Sequence, residues 1–116
     1  MEKVINTEGL ISEAKSFADR MLSEYGEFWP FLVAIDSNNK IIHIGVNLDN
    51  SAATVESLKN AQDLYLQRQI FNNKLKAGIV CYYAKITDDV KGLRDSVIME
   101  LRDGNSVKKM SFTLQP

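Results

Sequence analysis

The chain holds one cysteine, one histidine and one tryptophan among its 116 residues. A lone Cys81 cannot close an internal disulfide. With His43 as the single imidazole, only scattered carboxylates would remain to complete a zinc site of three or four ligands, so no metal and no cofactor is expected. The six glycines are dispersed at positions 9, 26, 45, 78, 92 and 104. They form neither a phosphate-cradling loop nor a Gly-x-Ser-x-Gly elbow, so nucleotide hydrolysis and esterase chemistry lose their signatures. Neither sign of charge is in excess: 14 basic against 15 acidic side chains leave a formal charge of −1. Such a chain sets up no field to gather nucleic acid or an anionic membrane surface.

No uncharged apolar run approaches the length of a membrane span, and Met1-Glu2-Lys3-Val4-Ile5-Asn6 lacks the apolar stretch of a signal peptide. The unpaired thiol and the lack of any Asn-x-Ser/Thr acceptor fit a reducing compartment, so a cytoplasmic location is expected. What is present suffices for a core. With 45% apolar residues and no linker-like or repetitive stretch, residues 1–116 are expected to form one domain without disulfide or metal support.

Apolar residues at Leu10, Ile11, Ala14, Phe17, Ala18, Met21 and Leu22 have helical spacing and predict a helix over residues 7–24. Asn6 or Thr7 can cap its start, and Gly26 can take the left-handed conformation beyond its end. Pro30 stops any continuation, and the apolar runs 31–35 and 41–46, separated by Asp36-Ser37-Asn38-Asn39-Lys40, predict a β-hairpin. A second helix is predicted from about residue 51 to 73, with Val55, Leu58, Tyr65 and Leu66 on one side and Gln62 and Gln69 interrupting the stripe. Leu64 and Phe71 project from its other side and need the first helix or another chain to cover them.

Three more strands are predicted over residues 77–86, 96–102 and 107–114, the last two joined by a turn at Asp103-Gly104-Asn105-Ser106. The first of these is apolar on both faces: Ile79, Cys81 and Tyr83 on one, Val80, Tyr82, Ala84 and Ile86 on the other. It therefore requires cover on both sides. The other two alternate, leaving Glu100, Arg102, Lys109, Ser111 and Thr113 on a face expected to be wet. The fold class is α+β in the order α-β-β-α-β-β-β. We expect a five-stranded antiparallel sheet with strand order 2-1-5-4-3, the hairpin lying beside the last strand, and two helices as cover.

This element order resembles the sheet core of PAS, profilin-like and roadblock-type domains, the leading helix being nearest to the roadblock pattern. The segment Val33-Ala34-Ile35-Asp36-Ser37-Asn38-Asn39-Lys40-Ile41-Ile42 looks like the first hairpin of many sensor domains. Gly26-Glu27-Phe28-Trp29-Pro30-Phe31 resembles the aromatic-proline strand entry of small uncharacterised bacterial proteins, a likeness that implies no particular activity.

Few residues carry chemistry. Cys81 with His43 would make a nucleophile and base if adjacent in space, but Cys81 lies mid-strand among large apolar neighbours, where an inert core thiol is expected. The Asp36–Lys40 turn lacks the glycine and terminal glutamate of a calcium loop, and the adjacent Asp88 and Asp89 point apart in an extended chain. Lys74, Lys76, Lys108 and Lys109 near Tyr82 and Tyr83 read as edge lysines that oppose strand aggregation rather than as a nucleic-acid surface. Phe28 and Trp29 are expected to be buried, closing the end of the core; exposure would instead mark a partner hot spot.

The leading functional expectation is a noncatalytic protein-interaction domain, homodimeric or an immunity-type binding protein, with Trp29, Leu64 and Phe71 as contact residues. The alternative is a small-ligand sensor in which the sheet and second helix enclose a pocket near Tyr65, Tyr82, Tyr83, His43 or Trp29. Enzymatic activity would rest on fold analogy alone.

Overall fold

A computed structural model describes residues 6–45, 54–88, 92–104 and 106–113. Among these, two helices and five strands follow in the order α1 (Thr7–Tyr25), β1 (Phe31–Asp36), β2 (Ile41–Ile44), α2 (Val55–Phe71), β3 (Leu75–Asp88), β4 (Gly92–Asp103) and β5 (Val107–Thr113). Helix α1 is capped as its sequence predicts. The Asn6 side chain accepts the Gly9 amide, and Gly26, at a φ of 78°, ends the helix by donating its N–H to the Leu22 carbonyl. In the β1–β2 turn the Asp36 carboxylate accepts the amides of Asn38 and Lys40 while Asn39 takes the left-handed conformation, φ 65°. Thr54 and Ser57 form a reciprocal capping box at the start of α2. The predicted start of this helix at residue 51, and Val46, Asp89 and Leu114, lie outside the described residues.

The sheet is antiparallel throughout, but its order is β2-β1-β3-β4-β5. The expected order 2-1-5-4-3 is therefore wrong, while the expected element order α-β-β-α-β-β-β holds. The reason is in the side chains. A central strand is covered on both faces, and β3 offers buried apolar residues to both, Ile79 and Cys81 on one, Val80 and Tyr82 on the other, as do its neighbours β1 (Val33 and Ile35; Leu32 and Ala34) and β4 (Val97 and Met99; Ile98). Strand β5, with Lys108, Lys109 and Ser111 exposed, suits an edge, where lysines also deter further strand pairing.

Each helix covers one face. Leu10, Ala14 and Ala18 of α1 pack with Val33, Ile35, Ala77, Ile79, Cys81, Val97 and Met99. Two alanines in that stripe let the helix axis come close to the strands. On the opposite face Leu66 of α2 packs with Leu32, Ala34, Val80, Tyr82 and Ile98. Burying each large aliphatic side chain here contributes about 1.5–3 kcal/mol. The face of β4 expected to be wet is half-covered by α2: Glu100 lies 3.1 Å from Lys59 Nζ, and Arg102 engages Asp63 at 3.2 Å and 3.4 Å. Residues i and i+4 of a helix are about 6 Å apart along its axis, close to the i, i+2 spacing of a strand. A plus-minus pair on α2 therefore matches a minus-plus pair on β4, and a shift of the helix by one turn would oppose like charges.

Gly78 sets how closely α2 approaches. A Cβ at this position would stand 2.5 Å from Leu66 Cδ1 and 3.2 Å from the Val33 carbonyl oxygen, and Leu66 is fully buried, so its methyls can yield only by displacing the packing around them. Gly78→Ala is expected to destabilise the protein by about 1–3 kcal/mol, measured by urea unfolding. Combined with Leu66→Ala, which vacates that space, the double change should cost less than the sum of the two single ones.

Candidate functional site

The last two turns of α1 carry Phe17, Met21 and Tyr25, spaced four apart and therefore stacked on one side of the helix. Gly26 then turns the chain, so that Glu27, Phe28 and Trp29 cross the end of the sheet before Pro30 leads into β1. With Phe31 of β1, Tyr83 of β3 and Val55 at the start of α2, these residues enclose an open groove of about 680 Å³. The rings contact one another at its base. Phe31 lies 4.8 Å from Phe17, edge to face, and 5.4 Å from Phe28, while Phe28 lies 6.1 Å from Tyr83.

Trp29 is the correction that matters most here. Expected to close the core, it is instead 59% exposed, beside Tyr25 at 68% and above a half-buried Phe28. The cause is Pro30. Pro30 is buried and its carbonyl accepts a 2.8 Å hydrogen bond from Gln62 Nε2, a side chain only 3% exposed. That bond satisfies a buried carbonyl that would otherwise cost about 1–3 kcal/mol. It also pins the strand entry against α2. With Pro30 pointing inward, the extended backbone turns the adjacent Trp29 outward.

The other candidates scatter. Tyr83 lines the groove, whereas Tyr82, one residue away on the same strand, faces α2 on the opposite side of the sheet. Tyr65 stands on the exposed side of α2, not in the apolar stripe expected of it. His43 is on the α1 face, where its Nε2 lies 3.0 Å from Glu13 Oε1 and its ring packs 5.0 Å from Phe17, behind the groove rather than in it. Of the residues named for a ligand pocket, Tyr83 and Trp29 line the groove, while His43, Tyr65 and Tyr82 are not among its described lining residues. Leu64 and Phe71, the latter 87% exposed, remain uncovered among the described residues, because α1 lies across the sheet from them.

Cys81 is fully buried in the α1-side core, and burial pushes its thiol up to about 12. At that value the thiolate is absent at neutral pH, which removes the Cys81–His43 nucleophile pair. The described residues hold no cluster of three or more His, Cys, Asp or Glu placed to bind a metal, and no described helix is long and apolar enough to cross a membrane.

No family model matches this chain, nor does any curated protein or solved structure. The groove must be judged on its own chemistry. Among the described lining residues Glu27 is the one carboxylate and none is basic, so those residues offer aromatic surface and a single acidic side chain but no acid-base pair.

The polar seam under α2 has a different character. Burial raises Tyr82 above its ordinary value, and the nearby Glu100 carboxylate adds to the effect. For Lys59 burial acts the other way, but contact with Glu100 and Tyr82 outweighs it and holds the ammonium above its usual range; its Nζ sits 4.7 Å over the Tyr82 ring. Both groups bind protons more tightly when folded, so their contribution is complete below the unfolded values and is lost as pH rises through the folded ones. Stability should therefore fall above about pH 10, and Tyr82→Phe should reduce that fall, as followed by urea midpoints against pH.

Proposed function

We propose that the chain is a noncatalytic protein-interaction domain whose recognition surface is the aromatic groove at the end of the sheet. The supporting observation is the exposure of Trp29 beside Tyr25, over rings whose positions are fixed by mutual packing. Tryptophan and tyrosine carry large contact area at low rotamer cost and are enriched in binding hot spots. A groove already held open also spares a partner the cost of shaping it. An immunity-type role, in which a complementary surface holds a toxin, is one form this activity could take.

The groove volume favours a second reading. At about 680 Å³ it falls among the sizes that accommodate small molecules, which keeps a ligand-sensing role for the same residues in play. Self-association through Leu64 and Phe71 on the outer side of α2 is a separate proposal, since those side chains share no surface with the groove lining.

Selection of random displayed peptides on the wild-type protein, with Trp29→Ala as counter-target, tests the first reading. Sequences retained by the wild type and lost on the variant are expected; equal retention on both would contradict it. Light scattering after size-exclusion chromatography tests the α2 surface. A dimer that becomes a folded monomer in Leu64→Asp/Phe71→Asp is expected, and a wild-type monomer at every concentration would dismiss that contact.

A further inference from the structure

We infer that the groove receives an arginine or lysine side chain flanked by apolar residues in a polypeptide partner. This deepens the reading of the groove as a docking surface and rests on it. Six of the described residues that line the groove are aromatic, and the face of each ring carries the negative part of its quadrupole. Glu27 adds a carboxylate, and none of the described lining residues is basic. An apolar occupant would gain from the rings alone. Only a cation gains from the rings and the carboxylate together.

Among the described residues the same pairing is already made by Arg20 and by Lys59. The Arg20 guanidinium lies 5.3 Å from the centre of the Phe17 ring, one of the rings that line the groove, and Lys59 sits over Tyr82. Desolvated contacts of this kind are the stronger ones, and an occupied groove would exclude water from them. Size points to a peptide rather than a free organic cation. About 680 Å³ is far more than one guanidinium or ammonium group fills, and the remaining lining, including Met21 and Val55, suits aliphatic neighbours.

Trp29 is the chain's one tryptophan, so its fluorescence reports the groove directly. The experiment titrates the protein with the capped peptide Gly-Leu-Arg-Leu-Gly, with the same peptide carrying citrulline, the uncharged isostere of arginine, and with tetramethylammonium chloride. The arginine peptide should bind about three- to thirty-fold more tightly than the citrulline peptide. Glu27→Gln, a change at an exposed position, should shrink that preference and flatten its dependence on salt. Equal affinity for the two peptides would overturn the cation and leave an apolar docking groove standing. Tighter binding of tetramethylammonium than of the arginine peptide would overturn the polypeptide source. Loss of every fluorescence response, alongside unselective peptide display, would overturn this inference and the docking reading together.

Discussion

Strand β3 is hydrogen-bonded along both edges, to β1 and β4, and covered on both faces, and the other elements are arranged to meet those demands. One face needs α1 and the other needs α2, so the two helices cannot share a side. Gly78 lies in the same strand and sets the depth to which Leu66, and so α2, can approach. The ion pairs from Lys59 and Asp63 to the neighbouring β4 are each worth about 1 kcal/mol or less at their partial exposure, so they fix the helix register more than they stabilise it.

The groove follows from this arrangement. Helices on opposite faces leave a groove between the last turns of α1 and the first turn of α2, and among the described residues Glu27, Phe28 and Trp29 cross it. Gln62 holds the crossing by the Pro30 carbonyl. A core contact on the α2 side therefore positions an exposed aromatic residue at the end of α1, and the recognition surface depends on the packing of both layers.

Local structure was legible in the sequence. The caps of α1, the asparagine at positive φ in the hairpin turn and the strand alternation all follow from single residues and their spacing. The sheet order was legible too, but in a signal weighed for the wrong purpose. The two apolar faces of β3 and the lysines of β5 already argued against a central β5, whereas economy of connection argued for it. Tyr82 and Tyr83 show the limit of grouping by residue type, since adjacent strand positions point to opposite layers. Gln62 read as a break in an apolar stripe; its role became visible only with the buried carbonyl it serves, a partner 32 positions away. Trp29 was misjudged for the same reason: which of two neighbours turns inward depends on a contact remote in sequence.

The exposure of Trp29 carries the functional account, and steady-state quenching of its fluorescence by acrylamide tests that exposure in one measurement. Emission close to that of tryptophan in water, with quenching near that of a free indole, is the expected result. Blue-shifted emission shielded from acrylamide in the isolated protein would place the ring inside the core and contradict the account.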